Sequence, residues 1–363
     1  MNFEKLPELN ELKRNFDQRV FEKNAFKSLF YFFFDVSAIA LLSFVSYLLV
    51  NNGLWPLALI SAALSGSFFW SLFVVGHDCG HGSFSSNKAL NYVVGYISHH
   101  FLLVPYYGWA MSHKKHHTFH GNLEFDESHV PIPLQRWMIV VRDRGNSFGV
   151  FFAKAYKFLM YVSGAIYFSY LWMSYQAKDN AFTSHYIPSK YLKTDRNKLD
   201  VYAGLFGYLL GLIAVGVGFY YDPMVTLFLY VIPLIVCYHL LVMVTYMQHH
   251  FAESKWYYND NWDYLKGAMT SMDHYYSNRL LDRAVSFFWH RISTDHIVHH
   301  IFTDIPHYNL IKATGEMNKN IGEFTEKKRL FSYKNYFKFL WTLDFVEDKT
   351  EKNKYDTFTI KKL

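Results

Sequence analysis

Four long apolar stretches, arranged as two tight hairpins, dominate the chain. Residues 29–50 and 54–76 are each apolar over a length that crosses a hydrocarbon core of about 30 Å, with only Asn51, Asn52 and Gly53 between them. The pattern recurs at 201–220 and 224–247, turning at Asp222 and Pro223. Because backbone polar groups inside a bilayer must be satisfied within the segment, these stretches predict four transmembrane helices and an all-α integral membrane protein. Asp35 interrupts the first stretch and is expected near the interface or hydrogen-bonded. Residues 1–28 place Leu6, Leu9, Leu12, Phe16, Val20 and Phe21 at a roughly helical period among charges, which predicts a surface-lying amphipathic arm. Its interspersed acidic residues argue against a signal or transit peptide.

Between the hairpins, apolar pieces at 89–107 and 150–175 are broken by glycine, proline and polar residues, a pattern of interfacial or half-inserted helices. The regions after each hairpin, 77–200 and from 248 on, are rich in Lys and Arg, as is the arm, whereas neither turn between spans carries a basic residue. The positive-inside rule then places the arm, a cap made of 77–200 and 248–319, and a basic C-terminal tail at 320–363 in the cytosol.

Composition agrees with a bilayer protein: 51% hydrophobic and 20% aromatic residues against 18% charged. A net charge of +6 suits anionic lipid, and its scatter among apolar runs forms no stripe for nucleic acid. The two cysteines, Cys79 and Cys237, form no CxxC pair, so any metal chemistry rests on nitrogen.

That nitrogen is supplied by three histidine clusters. His77 and His81 stand at i, i+4; His113, His116 and His117 at i, i+3, i+4; and His296, His299 and His300 repeat the second spacing. Each spacing puts its imidazoles on one helix face, and all three clusters fall on the same predicted side of the membrane. Eight convergent histidines exceed what one zinc ion takes and suit two ions of higher coordination number. Imidazole alone does not choose among zinc, copper, iron and nickel. His99, His100 and His239 lie in apolar runs and read as packing residues; His120, His129 and His307 lie near the clusters as supporting candidates, and His185, His274 and His290 carry no argument.

The strings HDCGHGSFS at 77–85, SHKKHHTFHGN at 112–122, DESHVP at 126–131, TYMQHH at 245–250 and HIVHHIFTDIPHYNLIKAT at 296–314 resemble the membrane fatty acid desaturases, in particular the methyl-end Δ12 and ω3 acyl-lipid branch. The resemblance runs from about residue 21 to 319 and implies a desaturase domain at 29–319. It implies a non-haem di-iron centre that activates O2 and makes a cis double bond in a long unsaturated acyl chain, with lipid-linked substrate. Carried over position by position, His77, His81, His113, His116, His117, His296, His299 and His300 would be iron ligands. A ninth ligand falls at the end of the fourth span on His249, with His250 as runner-up. Asp78, Asp295 and Asp304 stand close enough in sequence to orient ligand rings.

Desaturation by O2 needs two electrons from outside, and the chain has no haem-binding HPGG, no CxxC and no GxGxxG fingerprint. A separate donor is therefore expected, cytochrome b5 in an endoplasmic reticulum membrane if the host is a eukaryote, or ferredoxin, with a cytoplasmic membrane otherwise. Lys114, Lys115, Arg279, Arg283 and Arg291 are candidates for its docking patch. The first cluster's spelling is closer to ω3 enzymes, Gln248 is as in Δ12 enzymes, and the balance leans to ω3. Two features depart from the family pattern: a longer 272–291 segment and Asn309 where histidine is common. A hydroxylase, epoxygenase or conjugase on the same scaffold is the alternative. A non-catalytic metal-binding or transport protein is a distant third, since transport calls for ionisable groups within the spans and only Asp35 and His239 qualify.

Overall fold

The structure, a computed structural model, describes residues 6–126, 128, 147–176, 181–188, 195–251, 254–325, 328–342, 345–346 and 358–361. Among them four helices are long and apolar enough to cross a membrane: Ala25–Asn51, Trp55–His81, a third whose helix runs Asp195–Tyr221, and Pro223–His249. The second span is the central pillar, 67% buried over its most apolar window, against 22% for the first and 17% for the third. Its Phe69, Trp70, Phe73 and Val74 pack with Leu240, Leu241, Met243 and Val244 of the fourth span. Lipid offers apolar groups as good a solvent as protein does, so such helices associate through close packing and small residues. Gly66 is one of these: a Cβ there would lie 2.5 Å from the Val236 Cβ and 2.7 Å from the Pro233 carbonyl oxygen.

The second span continues past the expected end at residue 76 through His81, and Gly82 closes it in the left-handed conformation (φ 70°). Two short helices follow, Lys88–Phe101 and Tyr106–Phe119, and both pack against the second span. The helices Ser147–Val162 and Ala165–Trp172 are too short to span. The first presents Phe151, Phe152, Tyr156 and Leu159 outward, as a helix lying in the interface would.

Two terminal regions differ from a free arm and tail. Leu12, Phe16 and Val20 are buried against Ile297, Val298, Ile301, Phe302 and Leu310 of the cap, so the arm spends its apolar face on protein. Lys13 fastens it with a 3.1 Å ion pair to Asp304. Within 320–363, the helix Tyr333–Thr342 buries Tyr336 and Leu340 in the main core, with Tyr336 edge-on to Tyr246 of the fourth span. Periodicity shows that a face is apolar; it does not say whether lipid or protein covers it.

Candidate metal centre

The three histidine clusters and the end of the fourth span meet in the cap. His77 and His81 occupy the last two turns of the second span, and His113, His116 and His117 lie on the helix Tyr106–Phe119. His249 is the last residue of the fourth span's helix. The third cluster forms a helix of only six residues, His296–Ile301, too short to be stable alone. Its N-terminal amides are satisfied from a distance: Asp273 Oδ1 accepts from the backbone N–H of His296 (2.6 Å) and of Ile297 (2.9 Å). Burial pushes the Asp273 carboxyl up.

Ring nitrogens converge in two nests. His77, His81, His113, His117 and His299 each offer a nitrogen within 4.8 Å of all the others, and so do His116, His120, His249 and His300. His296 adjoins the second nest, with its Nε2 3.0 Å from His300 Nε2 and 3.2 Å from His249 Nε2. His117 and His113 bring their Nε2 atoms to 3.0 Å. Two nitrogens held about 2.1 Å from one ion at right angles would stand roughly 3 Å apart, so these separations are those of neighbouring ligands.

The donor set fits a cation in its charge state as well. Burial, and then neighbouring imidazoles, hold His113, His117, His296, His299 and His300 well below the usual histidine range, and His116 at about 3. Each is neutral at physiological pH and carries the lone pair that a metal needs. His81 Nε2 and His299 Nε2 are buried with no hydrogen-bond partner among the described residues. A buried polar atom left so costs about 1–3 kcal/mol, which a bound ion would recover.

Outer partners fix the rings. Asp126 Oδ1 accepts from His116 Nδ1 at 2.8 Å, and Asp78 Oδ1 accepts from His77 Nδ1 at 3.3 Å. The Gly267 carbonyl accepts from His120 Nδ1 at 2.8 Å, so His120 carries its proton there and turns Nε2 into the second nest. Of the three aspartates expected to orient rings, only Asp78 does. Asp295 accepts from Thr294 and Thr314 hydroxyls and faces Arg291 and Lys328, while Asp304 holds Lys13.

His249 lies inside the second nest, while His250 stacks on Tyr246 at 4.6 Å and lines a neighbouring cavity. His120 is a full member, beyond the supporting place its sequence neighbourhood suggested; its i+4 spacing from His116 was the available signal. His307 supports from outside, donating Nδ1–H to Asp78 Oδ2 at 2.9 Å. His129 lies outside the described residues. His99 bonds the Phe73 carbonyl (3.2 Å), His239 the Val162 carbonyl (2.6 Å) and His185 the Leu171 carbonyl (3.1 Å); His100 packs edge-on against Tyr96 and His274 against Phe331. His290, with no role legible from its sequence position, forms a buried 2.7 Å pair with Asp35.

Comparison with known proteins agrees with this geometry. Residues 53–328 match the family model described as fatty acid desaturase. The chain is 36% identical, over 97% of its length, to the sn-1 acyl-lipid omega-3 desaturase (ferredoxin) of Nostoc sp., of which it covers 92%. It is 34% identical to the protein of the same name from Synechocystis sp., over 94% of this chain and 89% of that protein. A chloroplastic omega-3 fatty acid desaturase of Glycine max is 34% identical over 88% of this chain, which covers 69% of it. An integral membrane oxidoreductase built around this histidine centre, the chain belongs to the fatty acid desaturase family.

Proposed function

We propose that this desaturase inserts an ω3 cis double bond into lipid-linked unsaturated acyl chains, using two irons, O2 and electrons from a separate ferredoxin-type carrier. The two nests of imidazoles carry the reading, because nine histidines within such short reach have no structural task of that density. Bound there, iron would activate O2 for the removal of two hydrogens from adjacent methylenes. The relatives named as ferredoxin-dependent omega-3 desaturases support both the regiochemistry and ferredoxin over cytochrome b5. The membrane is that in which the host keeps its ferredoxin, with the cap on the ferredoxin side.

The protein's own contribution is placement and dryness. All nine nest nitrogens come from imidazole rings, which add no negative charge to the metals. Asp126 and Asp78 hold His116 and His77 by their far nitrogens, so the near ones keep a fixed aim. A mostly apolar cavity of about 190 Å³ is lined by Tyr161, Ile166, Tyr167, Leu241, Val242 and Thr245, together with Ser128 and His250. Ser128 is two residues from Asp126 and His250 one from His249, so an acyl chain in this cavity runs toward the nests. The wall between the helix Ala165–Trp172 and the fourth span limits how far the methyl end advances.

Expression in a host that makes linoleate and lacks ω3 desaturase tests the function: α-linolenate should accumulate. Linoleate made from oleate with no trienoic product would move the activity to Δ12, and a hydroxylated product would move it to the sister chemistry. The cavity makes a separate prediction. Val242→Phe should shorten the seat and shift the preference from C18 toward C16 chains by roughly tenfold, the discrimination that one or two methylenes in an apolar pocket command. An unchanged chain-length profile, read by gas chromatography of the host's lipids, would place the substrate elsewhere.

A further inference from the structure

We infer that Asp35 and His290 form a positioning pair that sets the five-histidine nest, acting at once on His77 and on His299. The inference rests on the reading of the nests as metal sites. Asp35 shares one stripe of the first span with Ser28, Phe32 and Ile39, all turned into the protein, and it is fully buried. A carboxylate inside a membrane-crossing helix is expensive and is retained where it acts on something. Its Oδ2 accepts from His290 Nε2 at 2.7 Å across 255 residues of sequence.

From His290 two routes lead to the nest. Along the first, the His290 ring packs on His307 with centroids 4.5 Å apart, and Tyr31 closes the edges of both rings at 5.3 and 4.6 Å. His307 then donates its ring Nδ1–H (2.9 Å) and its backbone N–H (3.2 Å) to Asp78 Oδ2, while Asp78 Oδ1 accepts from His77. A carboxylate that orients a metal-binding histidine is effective only when it is itself held, and here the holding passes back to Asp35. Along the second, His290 and Arg291 both adopt left-handed backbone (φ 50° and 59°), a conformation that side chains other than glycine disfavour. This turn delivers the chain to the helix His296–Ile301. The Asp35 bond pins the side chain of the turn's first residue, and so the approach of the helix that carries His299. The two routes rejoin where His77 and His299 face each other at 4.7 Å. Of the four-histidine nest, His116, His120 and His249 lie on neither route, and only His300, on the helix that carries His299, is reached by the second.

The pair therefore governs one nest more than the other, which separates it from a tie that only stabilises the fold. The test uses full-length enzyme purified in detergent and loaded with ferrous iron of the Mössbauer isotope. Asp35→Leu and His290→Leu should alter the signal of the five-histidine iron, reached by both routes, more than that of the other, reached only through His300, with kcat down roughly tenfold and KM unchanged. His290→Gln, whose amide can still donate to Asp35, should recover most of the wild-type spectrum and rate. Asp35→Asn keeps the size and one acceptor; where leucine prevents folding, it should move the same iron signal in smaller measure and lower kcat about threefold. Wild-type iron signals and kcat in these variants, or lower stability alone with both retained per folded molecule, would overturn the proposal, as would equal loss in His290→Gln and His290→Leu. Wild-type enzyme that takes up no iron would instead remove the metal reading on which the pair's role depends.

Discussion

His116→Ala should abolish desaturation, by at least about a thousandfold, while the protein still inserts and accumulates in the membrane. The ring is buried and neutral, its Nδ1 given to Asp126 and its other nitrogen to the four-histidine nest. Removing it deletes one donor and leaves the Asp126 carboxylate without that bond, and effects on a metal centre that works as a unit are not shared out among its ligands. Iron in the purified protein should fall from about two per chain toward one, since the five-histidine nest contains no part of His116. Metal analysis beside the fatty-acid profile checks both halves. Stoichiometric iron with retained double-bond formation in the variant would disprove the assignment, and stoichiometric zinc in an active wild type would disprove the metal.

The second large effect is expected at a residue that touches no imidazole ring. Asp273→Ala should lower iron affinity by roughly 10- to 100-fold, in the range seen when a group supporting metal ligands is lost. The carboxylate caps a six-residue helix carrying three histidines, and without it the amides of His296 and Ile297 are buried with no acceptor in its place. A lost cap costs about 0.5–2 kcal/mol and a stranded buried donor about 1–3 kcal/mol, more than so short a helix can lose and keep its rings aimed. Asp273→Asn offers an acceptor at the same point and should retain most of the affinity. Competition with a ferrous chelator measures it. Equal affinity in wild type and the alanine variant would show that packing alone holds the helix.

These two residues mark what the sequence could and could not disclose. His116 stood out because its partners His113 and His117 lie within one helical turn, and convergence inside one helix is written in the spacing. The same logic revealed all eight cluster histidines, and hydropathy over some twenty residues gave the four spans to within a few residues at their ends. His120 obeyed the spacing too, yet read only as a neighbour because the cluster already looked complete. Asp273 left no such trace: it acts across 23 residues of sequence through backbone amides, which every residue type possesses. Asp126 sat in a quoted motif without a partner, because its imidazole is ten residues away and reaches it only after the chain turns. Asp35 and His290 illustrate the limit, since each is an ordinary anomaly alone and only the folded chain makes them one feature. The arm shows the converse, a correctly read amphipathic face whose covering surface, the helix of the third cluster, is nearly three hundred residues away.

Each nest takes a ligand from that last cluster, His299 in one and His300 in the other. A ribosome has therefore made and released all four spans before either metal site can close, and for much of synthesis the earlier histidines wait as an open half-shell. Loading thus follows synthesis of the last cluster, and the arm, made before it, is among the last pieces to find its place, because the helix it covers does not yet exist when it emerges. Cells short of iron should accordingly accumulate inserted, span-complete protein whose cap is loose and open to protease, and later addition of iron should rescue it without new translation.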